Sequence, residues 1–111
     1  MPQTELKTTE QAEKLLNEET AALIYFYSDS CAPCVSLRPK VIELLEKSFP
    51  KMKLAFVNSV AYPMLAAHFN VFSNPTLLIF FEGKEYNRLS KYVSISQLEE
   101  TMGRPYGMVF E

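Results

Sequence analysis

Apolar and polar positions fall into alternating blocks along the chain, and each block carries a period. From Thr8 to Glu19, Ala12, Leu15 and Leu16 share one face while Glu10, Glu13, Lys14 and Glu18 surround it. That spacing predicts an amphipathic helix, which Thr8 or Thr9 can cap. Ala21 to Tyr27 is a continuous apolar run, the pattern of a strand buried on both faces. Ser28-Asp29-Ser30 breaks it. A second helical pattern runs from about Ala32 to Ser48, with Val35, Leu37, Val41, Leu44 and Leu45 as its apolar set and Pro39 inside it, where a kink is expected. Pro50 closes that block. Lys53 to Asn58 reads as another buried strand, Ala61 to Phe69 as a short helix, and Thr76 to Phe81 as a strand. Glu82-Gly83-Lys84 supplies a turn, so Tyr86 to Leu89 returns as a hairpin partner. Ser94 to Met102 is a final helix, with Ser94 and Gln97 at capping-box spacing and Gly103 expected to end it. Residues 103–111 form a C-terminal tail without an assigned element. Its Tyr106, Met108, Val109 and Phe110 are expected to pack on the rest of the chain.

The early elements alternate as strands and helices, which points to a parallel half, and the late hairpin to an antiparallel half. One α/β unit results, a central mixed sheet with helices on both faces. A length of 111 residues fits one domain, 1–111, and a 48% apolar share can fill its core. The formal net charge of −2, with acids and bases interspersed, gives no basic stripe for nucleic acid. No apolar run is long enough to span a membrane. The segment from Met1 to Asn17 lacks the apolar stretch of a secretory signal, so a cytoplasmic location is expected.

The chemistry concentrates in two cysteines. Cys31 and Cys34 are the only ones, and they are three residues apart where a strand turns into a helix. A helix start presents unpaired N–H groups and partial positive charge, which favour a thiolate over a thiol. Cys31 is therefore the expected nucleophile. Cys34, one turn on and nearer the core, is the expected resolving thiol, and Pro33 costs the first turn nothing while stiffening the loop that it forms with Ala32. Such a pair exchanges electrons with disulfides through a mixed-disulfide intermediate, in either direction. Two buried structural cysteines are the plainer alternative. A metal site is a poor fit, because zinc takes at least three protein ligands and His68 is the only histidine. No metal or other cofactor is expected.

Taken together, these residues resemble the thioredoxin family over roughly Leu6 to Met102. Leu23 to Tyr27 leads into Cys31-Ala32-Pro33-Cys34 as the family's second strand leads into its active-site helix. Pro39 matches its kinking proline. Asn74-Pro75-Thr76, followed by Leu77 to Phe81 and Glu82-Gly83-Lys84, looks like its cis-proline loop, strand and turn. The resemblance implies that Pro75 is cis and faces the cysteines, and that backbone groups beside it, at Asn74 and Thr76, align an extended substrate. It implies disulfide-containing proteins as substrates and an electron donor such as a thioredoxin reductase. A monomer is expected.

Several positions depart from the family's pattern. Its buried acid in the strand before the motif is Tyr25, a poor base at neutral pH and foremost a core aromatic. The lysine neighbouring that acid is Phe56, so both charges are lost together, which leaves neither unpaired. Its tryptophan before the first cysteine is Ser30, and Asp29 adds a negative charge that works against a thiolate. Lys91 stands where the family has a glycine in a third substrate-facing loop. There it either narrows and charges the docking groove or is simply solvated. The sequence thus predicts a cytoplasmic reductase of protein disulfides. Its alternatives are an oxidant or isomerase in an exported compartment, or a binding module with a redox-sensitive switch.

Overall fold

A computed structural model of the protein describes residues 4–110. The element order is β1 (Thr4–Glu5), α1 (Thr9–Glu18), β2 (Ala21–Tyr27), α2 (Ala32–Ser48), β3 (Lys53–Asn58), α3 (Pro63–His68), β4 (Thr76–Phe81), β5 (Lys84–Ser90) and α4 (Ile95–Val109). The five strands form one sheet in the order β1-β3-β2-β4-β5. β1, β3 and β2 run parallel, and β4 and β5 run antiparallel to their neighbours. Both halves thus follow the order of elements in the sequence.

The strand periodicity of two divides the core. Ala21, Leu23 and Tyr25 of β2, with Leu77, Ile79 and Phe81 of β4, face α2 and α4. Their neighbours Ala22, Ile24, Phe26, Leu78 and Phe80 face α1 and α3. Two packed faces explain why these strands are apolar at every position. Thr8 caps α1, accepting the Gln11 N–H at 3.1 Å, and Ser94 caps α4, accepting the Gln97 N–H at 3.1 Å. In the turn between β4 and β5, Glu82 and Gly83 both have positive φ, 55° and 79°. That pair matches a two-residue hairpin turn, and a Cβ at Gly83 would sit 3.3 Å from the Leu16 carbonyl oxygen.

Four local expectations need correction. β1 was not visible in the sequence, because two polar residues joined to β3 by backbone bonds carry no period. Val35 is exposed at 64%, so the apolar set of α2 begins at Leu37. α3 is shorter than expected, starting at Pro63. α4 does not stop at Gly103 but runs on to Val109 with Pro105 inside it. Gly and Pro there cost the helix several kcal/mol, about 1 for each glycine and about 3 for the proline. The compensation is packing: Tyr106, Val109 and Phe110 lie against the core, while Met108 stays exposed. The Tyr106 ring meets Phe49 edge-on at 5.0 Å, and its hydroxyl accepts the Lys51 N–H at 2.9 Å. No helix among the described residues is long and apolar enough to cross a membrane.

Candidate functional site

β2 delivers the chain to the C-terminal end of the central sheet, and a tight turn there begins the site. The Cys31 N–H donates to the Ser28 carbonyl at 3.2 Å, and Cys31 becomes the N-cap of the 17-residue α2. Its sulfur accepts the Cys34 N–H at 3.2 Å. The sulfur therefore does for the helix what a serine or aspartate oxygen usually does. Cys31 and Cys34 are joined as a disulfide, with Cα atoms 5.3 Å apart. Cys31 is half-buried, whereas Cys34 is 2% exposed and belongs to the core. An attacking partner can reach only the first sulfur freely. Ala32 and Pro33 are exposed between the two.

The loop before β4 adds the second wall. The Asn74–Pro75 peptide bond is cis. The Asn74 side-chain oxygen accepts the Ser59 hydroxyl at 2.9 Å, which ties this loop to the end of β3. Thr76 is buried, and its hydroxyl donates to the Ser73 carbonyl at 2.7 Å. Its side chain thus shapes the loop, and its backbone opens β4 directly beside Pro75. The Lys91 N–H donates to the Pro75 carbonyl at 3.0 Å. Lys91 itself has φ 65°, the left-handed backbone suited to glycine. A cleft of about 390 Å³ opens between Pro33 of the redox turn and Pro75 and Lys91 opposite. Cysteines, proline loop and Lys91 are therefore brought to one end of the sheet.

The departures at Tyr25 and Phe56 acquire a physical account. Tyr25 is fully buried, and its hydroxyl donates to the Cys34 carbonyl at 2.6 Å. Burial pushes its pKa up to about 12, with the positive charge of Arg38 pulling weakly the other way. The phenol keeps its proton at neutral pH and positions the active-site helix rather than acting as a base. Its ring lies 5.5 Å from that of Phe56. Over Phe56, in turn, sits the Arg38 guanidinium, 3.8 Å from the ring centre and 4.8 Å from that of Tyr27. Glu5 binds Arg38 at 2.9 Å and accepts the Tyr27 hydroxyl at 2.8 Å. The cation that the strand lacks is supplied by the helix, and it is already paired. Sequence reasoning missed both the Tyr25 hydrogen bond and Arg38, since neither pairing is local in the chain.

Asp29 lies near the turn, and one of its carboxylate oxygens accepts from the Asn58 amide at 3.3 Å. His68 is on α3 on the other face of the sheet, hydrogen-bonded to Glu13 at 3.0 Å, and takes no part. Among the described residues, no group of three or more His, Cys, Asp or Glu side chains is placed to hold a metal ion.

Comparison with known proteins adds to this geometry. The thioredoxin family model matches residues 3–104. The thioredoxin-like protein YdfQ of Bacillus subtilis is 31% identical over 94 residues, covering 85% of this chain and 83% of its own. The thioredoxin of Porphyra purpurea is 28% identical over 92 residues, covering 83% of this chain and 86% of its own. Among solved structures, the thioredoxin of Fasciola hepatica superposes with a TM-score of 0.83 at 31% identity, covering 91% of this chain and 97% of that one.

Proposed function

Since the chain belongs to the thioredoxin family and is a thiol-disulfide oxidoreductase, we propose that it reduces disulfides of other proteins, with Cys31 as nucleophile and Cys34 as resolving thiol. The observation that carries this reading is the Cys31 sulfur at the N-cap of α2, accepting a backbone N–H and facing the positive end of the helix. The Cys31 thiolate attacks one sulfur of the substrate disulfide. That bond breaks, and the departing substrate sulfur takes up a proton. The Cys34 thiolate then attacks the Cys31 sulfur, and the second substrate sulfur leaves and is protonated. Two electrons pass from the cysteine pair to the substrate, and the pair ends as the disulfide. The proton on Cys34 leaves to water or to the departing thiolate, because Tyr25 is the wrong partner for it.

Asn74, Pro75 and Lys91 form the side of the site that aligns the substrate backbone, with Ala32 and Pro33 opposite. A reductase of thioredoxins returns the pair to the dithiol, and a reducing compartment such as the cytoplasm suits that cycle. The chain acts as one domain, since each core cluster draws residues from both its halves, and it works as a monomer. Neither the exported oxidant or isomerase nor the redox-switched binding module is favoured. The test is the equilibrium reduction potential of the Cys31–Cys34 pair in a defined thiol buffer. A value near about −270 mV supports a reductase, and one above about −200 mV overturns that direction of flow.

A further inference from the structure

The cleft beside the disulfide is charged by residues outside the redox motif. Pro33, Leu37 and Pro75 give it an apolar lining. Lys40 comes from α2 and Lys91 from the loop after β5, and Tyr92 stands beside Lys91 with 96% of its surface exposed. No acidic side chain lines it. Glu43 and Glu99 share the next hollow with Lys40, but among the described residues neither lysine has an ion-pair partner within 4.0 Å. Two lysines without an ion-pair partner among the described residues thus line one groove of a chain whose net charge is −2. Lys91 holds its place with φ 65°, a backbone conformation that L residues avoid and glycine adopts freely. Such outliers persist where the surroundings enforce them, and they gather at binding sites.

On this basis we propose that Lys40 and Lys91 select the substrate: the cleft takes an acidic peptide segment flanking the disulfide cysteine that Cys31 attacks, with Tyr92 as an open platform for its side chains. The inference rests on the reductase reading above and refines it. The occupant must be continuous with the attacked cysteine, because the cleft starts at Pro33, between the two sulfurs in sequence. An extended chain advances about 3.3 Å per residue, so the positions immediately beside that cysteine are the ones that fall here. Carboxylates there meet two ammonium groups, whereas lysines meet like charge.

The test uses the reduced full chain and three disulfide-linked peptide dimers, identical except for two flanking positions occupied by Asp and Glu, by Gln, or by Lys. The second-order rate of dithiol oxidation is followed by quenching and chromatography. We expect the acidic peptide to react about tenfold faster than the basic one at about 10 mM salt, the ratio shrinking to about twofold at about 0.5 M. In Lys40→Gln/Lys91→Gln the low-salt ratio should approach unity. Lys91→Gly, which suits the local backbone, should lose about threefold of the ratio if the double variant does not fold. Equal rates for the three peptides, or a preference for the basic one, overturn the inference and leave the reductase reading standing. Failure to reduce any of the peptides overturns both.

Discussion

Replacing Tyr25 with phenylalanine isolates one polar contact between the central strand and the active-site helix. The ring stays, so its packing on Phe56 at 5.5 Å is kept, and only the hydroxyl bonded to the Cys34 carbonyl at 2.6 Å is lost. Loss of one buried neutral hydrogen bond costs about 1 kcal/mol. For a chain of this length that is about 4 °C in Tm. The alkaline arm has the opposite sign. The folded phenol titrates at about 12 because burial disfavours its anion, against 10.0 without burial. Below pH 10 both states are protonated and the group leaves stability unchanged with pH. Between 10 and 12 the unfolded chain ionises first, so the folded protein loses about 1.4 kcal/mol per pH unit, to a total of about 2–3. Tyr25→Phe cannot lose it. The variant is therefore less stable at neutral pH, and the two stability curves converge above pH 10 and cross near about pH 11. Tyr27, also shifted up by burial and by its bond to Glu5, titrates in both proteins and cancels. Urea midpoints by far-ultraviolet circular dichroism, with the disulfide intact, read this directly. A variant as stable as the parent at pH 7, or a gap that stays constant through pH 11, would refute the reasoning.

Two further outcomes test the site and the C-terminal helix. Cys34→Ser should accumulate mixed disulfides with protein substrates on non-reducing gels, while Cys31→Ser should form none there and lose turnover by about a thousandfold or more; adducts on Cys34 in the second variant would reverse the assigned roles. Tyr106→Ala removes an aromatic contact with Phe49 and the acceptor of the Lys51 N–H. It should cost about 2 kcal/mol of unfolding free energy, and an unchanged urea midpoint would show that the last turns of α4 are ornamental to stability.

What the sequence disclosed followed from the physics of each signal. β2, β3 and β4 were found at their observed bounds because strands covered on both faces are apolar throughout, and helices flank them. The Cys31–Cys34 pair was legible because a strand-to-helix turn gives the spacing its chemistry. The end of α4 was not, because Gly103 and Pro105 signal a stop that only contacts with Phe49, far away in sequence, overrule. Tyr25 was placed correctly in the core, but a hydroxyl's partner is a matter of three dimensions. Arg38 gave no sign at all, since nothing in its local sequence foretells that it lies over Phe56.

The strand order has a consequence for how the chain is made. β2 lies in the middle of the sheet, but its two neighbours are β3, residues 53–58, and β4, residues 76–81. During synthesis, the backbone from Ala21 to Phe26 acquires one hydrogen-bonded flank early and waits for the other until most of the chain has emerged. Throughout that interval the most apolar strand of the nascent protein is an open edge, ready to pair with another chain. The segment from Thr76 to Phe81 therefore acts as a closing seam, and a ribosome that stalls before it leaves a sticky half-sheet rather than a small stable piece.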